Sequence, residues 1–116
     1  MRYLFIINDA PYGDERPYNG LRLCLSLAKK EDVEMKVFLM ADAVGCARAG
    51  QTTAEGSYNI ERMLHGCVTK HVEFGACGTC MDARGLAADQ LITGVHRSSM
   101  AELTDWTAWA DKILVW

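Results

Sequence analysis

The residues best suited to chemistry lie in one segment, GACGTCMDARG at 75–85, where Cys77 and Cys80 flank Gly78 and Thr79, with Arg84 just downstream. A C-x-x-C pair serves three chemistries. As a zinc clamp it supplies only two of the ligands that a closed tetrahedral site needs. His71 and His96 are candidates for the others, but no second pair stands at finger spacing, so no metal is assigned. As a dithiol exchanger it would resemble thioredoxin-like proteins, in which the pair follows an early strand and faces a later cis-proline. Here the pair comes late, and Pro11 and Pro17 both precede it. As the seat of one nucleophile, it needs a single thiol ionised near neutral pH, below the ~8.5 of free cysteine. Gly75 and Gly78 allow tight turns that aim N–H groups at a sulfur, residues 81–85 can begin a helix, and Arg84 is a permanent cation. The bland alternative is that both cysteines are small buried filler.

Other candidates for the pocket come from loops expected nearby. Asn8, Tyr12 and Gly13 follow the first apolar run, although Pro11-Tyr12-Gly13 reads equally well as a plain turn. Asp42 can bond backbone amides at the end of the second strand or cap a helix there. Residues 51–56 form a lid, a subunit contact or an ordinary solvated loop.

Alternating strands and helices position these residues. YLFII at 3–7 is a continuous apolar run, the signature of a strand buried on both faces. Leu21, Cys24, Leu25 and Ala28 recur at helical spacing, and VEMKVFLM at 33–40 is a second strand, which together make a βαβ unit. A short helical piece and a mobile Gly-rich loop are expected over 45–56. Ile60, Met63, Leu64 and Cys67 mark an amphipathic helix, and residues 71–76 a third strand that delivers Cys77 to its carboxyl end. A helix over 86–90, a short strand over 92–95, a helix opened by the Ser99-x-x-Glu102 capping box and a closing strand over 113–116 complete the pattern. The whole is a single α/β domain, 1–116, a three-layer sandwich with a mostly parallel sheet of about five strands. In such sheets reactive groups gather beyond the strands' carboxyl ends, where the C-x-x-C falls.

Composition narrows the function classes. The 116 residues carry a net charge of −3, and half are hydrophobic. Without clustered Lys and Arg, nucleic acid is an unexpected partner. The apolar start is too short for a signal peptide or membrane span, so the expected location is the cytoplasm, with no membrane association. An odd count of five cysteines argues for reduced thiols rather than a disulfide framework. Trp106, Trp109 and Trp116 crowd the last elements, where aromatic rings finish a core or meet another subunit.

APYGDE at 10–15, NGLRLCLSLA at 19–28, VFLMADAV at 37–44, GQTTAEGSYNIERML at 50–64, CGTCMDARG at 77–85 and ADKILVW at 110–116 appear in this order nearly end to end. On these segments the chain resembles the DsrE family of sulfur-relay proteins, its YchN-like branch in particular. The resemblance implies a Rossmann-like subunit in a homo-oligomer, trimer or hexamer; no cofactor is expected. It also implies a cysteine that holds sulfane sulfur as a persulfide, in the manner of a sulfurtransferase or carrier, between a protein sulfur donor and acceptor. Counting back from Arg84 and Gly85, the matching position is Cys77. Two other functions stay open: a thiol-disulfide switch using Cys77 and Cys80, and a non-catalytic oligomer that binds a small ligand. Against the last, the first loop has no G-x-G-x-x-G and the chain no P-loop.

Overall fold

A computed structural model describes residues 1–116. The chain runs β1 (Arg2–Ile7), α1 (Arg16–Leu27), β2 (Glu34–Leu39), a 3-10 helix (Ala41–Ala47), α2 (Ile60–Val68), β3 (Glu73–Cys77) and α3 (Gly78–Ala83). A 3-10 turn (Ala88–Gln90), β4 (Val95–Ser98), α4 (Met100–Trp109) and β5 (Lys112–Val115) follow. The five strands form one sheet in the order β4-β3-β2-β1-β5. Every neighbouring pair is parallel. The expected α/β sandwich is present, with a sheet that is wholly rather than mostly parallel.

Helices cover both faces because the central strands are apolar on both. Val37, Phe38 and Leu39 are consecutive and fully buried, which only a doubly covered strand allows. On one face α1 turns Leu21 and Cys24 inward, with the Cys24 sulfur 3.9 Å from that of Met35. Pro17 sits in the first turn of α1, where its missing N–H costs no hydrogen bond. Beside α1, α2 buries Ile60, Leu64 and Cys67 and begins at Asn59, whose side chain accepts from the Arg62 N–H at 3.0 Å. On the opposite face α4 lays Trp106 edge-on against Phe38, centroids 6.2 Å apart. The Lys36 ammonium lies 5.1 Å from the Trp106 ring centre and 4.8 Å from that of Trp109, so the end of the chain does pack on the sheet.

Several boundaries differ from the sequence-based expectations. No α-helix forms over 86–90, where only the 3-10 turn at 88–90 appears; the helix forms earlier, over 78–83, directly after the cysteine that ends β3. The fourth strand lies at 95–98 rather than 92–95, because Gly94, at φ +99°, turns the chain just before it. His71 is not in β3 but in the preceding turn, at φ +68°. The Gly-rich loop is tied at its base: the Glu61 carboxylate accepts from the Gly50 and Gln51 N–H groups at 3.0 and 2.7 Å. Ser99 caps α4 as expected, accepting from the Glu102 N–H at 3.2 Å. The Glu102 side chain forgoes the reciprocal half of the box and bonds His96 and Ser98 instead.

Gly75 in β3 has a packing reason to lack a side chain. A Cβ there would lie 3.0 Å from that of Ser98 and 3.1 Å from the Trp106 ring. Gly75→Ala is expected to destabilise the fold by about 1–3 kcal/mol through overpacking. Chemical denaturation with an unchanged m-value checks this, and wild-type stability in the variant would refute it.

Candidate functional site

Cys77 is the last residue of β3. It still pairs with Ser98 of β4, whereas the ladder with β2 has ended one residue earlier, at Leu39 and Ala76. The backbone then turns at Cys77 (φ −56°, ψ 117°) straight into α3. The glycine that follows leaves room for the Arg97 guanidinium, since a Cβ on Gly78 would lie 2.8 to 2.9 Å from it and push it aside. Arg97, on β4, reaches across and grips Asp82 of α3 in a two-pronged ion pair at 2.8 and 2.9 Å.

The two sulfurs have different partners. Cys77 Sγ lies 3.3 Å from the Thr79 hydroxyl, and the residue is 6% exposed. Cys80 is less buried, and its sulfur accepts from the Ala41 N–H at 3.2 Å. Ala41 adopts φ +52°, an uncommon left-handed conformation for a side-chain-bearing residue. All five cysteines are free thiols.

These surroundings separate the two thiols. Burial alone would push Cys77 up. Hydrogen bonds from the Cys80 thiol and the Thr79 hydroxyl outweigh it, helped by the N–H groups of Cys80 and Thr79, and the thiol ends below its ordinary value. Neither N–H makes a full capping bond to the sulfur, so the side-chain donors are the firmer part of this support. Cys80 moves the other way: burial raises it, and so does donating to Cys77, against the opposing pull of the Ala41 N–H and the Arg84 charge. The negative charge therefore belongs on Cys77 and the proton on Cys80. Burial pushes Cys46 up to about 12, and Cys24 is raised by its bond with Cys67 and by burial; such thiols are inert at neutral pH.

The structure does not gather every residue singled out in the sequence. Thr79, Gly78 and Cys80 stand against Cys77. Arg84 pairs with Asp42 at 2.8 Å and donates to the Cys80 carbonyl at 3.1 Å, so this cation and Asp42 flank Cys80. Asp42 caps no helix; the 3-10 segment opens at Met40 without a side-chain cap. Asn8 lies at the end of β1 and donates to the Trp116 carbonyl at 3.2 Å, beside a cavity of about 430 Å³ lined by Asp9, Arg16, Val115 and Trp116. Tyr12 stacks on Tyr58, donates to Gln51 at 2.6 Å and accepts from the Ile60 N–H at 3.1 Å. It braces the 51–59 loop against α2, and its hydrogen bonds go there rather than to Cys77 or Cys80. Gly13, at φ +91°, is the turn that the plain reading expects. None of the three main surface cavities is lined by Cys77 or Cys80.

Sequence reasoning missed Arg97, Asp82 and the Ala41 N–H. A glycine next to Cys77 signals close approach by something, but only the β3–β4 pairing shows that the visitor is Arg97. His96 joins no cysteine. Its ring nitrogen lies with the carboxylates of Glu73 and Glu102, their ligand atoms all within 4.8 Å of one another, the one grouping suited by type to a metal. Each already has a partner in the protein: Lys36 for Glu73 at 3.1 Å, Ser98 for Glu102 at 2.5 Å, and Glu102 for His96.

Comparison with known proteins places the chain. The family model described as DsrE/DsrF-like matches residues 1–116. Protein YchN of Escherichia coli is 40% identical over 114 residues, covering 97% of both chains. The MK0008 protein of Methanopyrus kandleri is 38% identical over 109 residues, 94% of this chain and 88% of that one. The crystal structure of the E. coli YchN protein superposes with a TM-score of 0.92 at 41% identity, with both chains fully covered. The MTH1491 protein of Methanobacterium thermoautotrophicum, at 19% identity and a TM-score of 0.74 over 98% of this chain and 97% of its own, shares the fold. Sequence and structure agree: the chain belongs to the DsrE/DsrF-like family.

Proposed function

We propose that the protein is a sulfur carrier that holds sulfane sulfur as a persulfide on Cys77 and passes it to a partner protein. The family is linked to sulfur relay. The observation that carries the reading is the division of labour between the sulfurs, with Cys77 favoured as the anion and Cys80 as its hydrogen-bond donor. In the step proposed, the Cys77 thiolate attacks the outer sulfur of a donor persulfide, the donor's sulfur–sulfur bond breaks, and the donor leaves as its own thiolate. Cys77 then carries the terminal sulfur as an S–SH group. No general base is needed, which suits a cysteine whose donors are a hydroxyl and a thiol. The acceptor's thiolate removes the outer sulfur by the same exchange in reverse.

The contact between the two thiols also favours a second reading, a thiol-disulfide switch. After loading, the Cys80 thiolate would attack the inner sulfur of the Cys77 persulfide and expel hydrosulfide, leaving a disulfide that a dithiol reductant reopens. Cys77 is buried in the single chain and lines none of the three main cavities, so local opening or a subunit boundary is the route by which a donor reaches it. A cytoplasmic homo-oligomer, trimer or hexamer, suits this. On the α4 side of the sheet, Ile113 and Val115 of β5 are 41% and 65% exposed, an apolar surface that a second subunit would cover.

Incubation with a sulfane-sulfur donor followed by intact mass spectrometry is expected to show a gain of one sulfur. Cys77→Ser should abolish the gain and Cys80→Ser should retain it; a gain that survives Cys77→Ser would end the proposal. Loss of the adduct in favour of an internal disulfide in the wild type would select the switch. Peptide-resolved alkylation across pH is expected to label Cys77 at lower pH than Cys80, because a thiol with a depressed pKa is already thiolate where its raised neighbour is still protonated. The reverse order would contradict the assignment. Light scattering should give a multiple of the monomer mass, and Val115→Arg should reduce it; a wild-type monomer at micromolar concentration would dismiss the oligomer.

A further inference from the structure

Arg97 has no part in the chemistry described so far, yet its placement is specific. It belongs to β4, on the far side of the β3–β4 ladder from α3, and is paired in register with Ala76, the residue before Cys77. Its guanidinium lies flat enough against Gly78 that a single added carbon would come within 2.8 Å of it. Asp82 fixes both of its terminal nitrogens, at 2.8 and 2.9 Å. A guanidinium bonded twice to one carboxylate and resting on a glycine is oriented, and this one lies against the residue that follows Cys77. Arg84, the cation closer in sequence, is spent on Asp42 and on the Cys80 carbonyl.

We propose that Arg97 is a positioning residue for the Cys77 sulfur: its guanidinium, steered by Asp82 and seated on Gly78, supplies the positive charge that holds an anionic sulfur there. This rests on the carrier reading, in which both the resting thiolate and the loaded persulfide are anions that a permanent cation favours. Of the charged and titratable groups packed nearby, Cys80 on α3 bonds the Cys77 sulfur, Arg97 on β4 interacts with its charge, and Asp82 on α3 is paired with Arg97. Beyond Cys80, Arg84 is paired with Asp42 and acts on Cys80, and beyond Ser98, His96 and Glu102 are bonded together. Arg97 is thus the cation on this side of the sulfur, and Asp82 offsets part of its field. Neutralising the two should move the sulfur's titration in opposite directions.

The test follows alkylation of Cys77 by iodoacetamide, a neutral reagent that the charge change does not steer, read at the Cys77 peptide across pH. Arg97→Gln is expected to raise the midpoint by about half a pH unit or more, a modest value because the guanidinium is 45% exposed and partly screened. Below the midpoint that is a rate loss of about threefold at fixed pH. Arg97→Lys should restore most of the shift, and Asp82→Asn should lower the midpoint below that of the wild type. Midpoints unchanged in both Arg97→Gln and Asp82→Asn would overturn the proposal, as would Arg97→Lys behaving like Arg97→Gln. Circular dichroism establishes that each variant is folded, and Asp82→Asn, an exposed change on a short helix, stands as the test should Arg97→Gln fold poorly. Alkylation reads the thiolate and not the cargo, so the two ideas fail separately. A normal midpoint pattern without sulfur uptake sinks the carrier, and uptake with unshifted midpoints sinks the role of Arg97.

Discussion

Parallel pairing around β3 is the constraint from which the site follows. Parallel strands deliver all their carboxyl ends to one edge of the sheet, and each must then leave by a crossover. β3 leaves unevenly, free of β2 after Ala76 but still bonded to β4 through Cys77. That last rung anchors the cysteine on one side while its other side is free to turn into α3. It also gathers groups from three separate parts of the chain around the C-x-x-C turn: Ser98 of β4 paired with Cys77 and Arg97 of β4 against Gly78, Thr79 and Cys80 of α3 at the Cys77 sulfur, and Ala41 beyond β2 at that of Cys80. Move the register of β4 by one residue and Arg97 and Ser98 exchange faces, since side chains alternate along a strand.

Within that frame, two chemically identical thiols become different. Desolvation acts on both in the same sense, opposing charge. The difference lies in the donors. Cys77 receives from a hydroxyl, a thiol and the amides at the start of α3, whereas Cys80 receives one amide, from Ala41, and gives its own proton to Cys77. A hydrogen bond between two thiols cannot favour both anions at once, so whatever it yields to one sulfur it withdraws from the other.

Much of this was legible in the sequence, and the reasons differ by residue. The apolar runs of β1 and β2 and the heptad-like spacing of α2 are local signals that need no partner to interpret, and the C-x-x-C does fall at the carboxyl end of a strand. Tyr12, Asn8 and Gly13 share the correct edge of the sheet, but that edge is five strands wide, and their bonds run to Gln51, Ile60 and Trp116 instead. A cation near the cysteines was sought in Arg84, seven residues from Cys77, because sequence proximity is all that a single chain displays. Arg97 lies twenty residues away and meets the site only through strand pairing. The shift of the helix from 86–90 to 78–83 has the same cause: hydrophobic spacing located an apolar stretch, while the turn at Cys77 and the glycine after it set where winding begins.

The seat of Arg97 on Gly78 also links two positions over evolutionary descent. A lineage that acquires any larger residue after the first cysteine while keeping the arginine passes through a collision at the mouth of α3. The exposed arginine can swing away from such a residue, but only by giving up its seat and its two bonds to Asp82. Across homologues, glycine and arginine at these two sites should therefore be inherited together and abandoned together, a paired signature that no single motif would record.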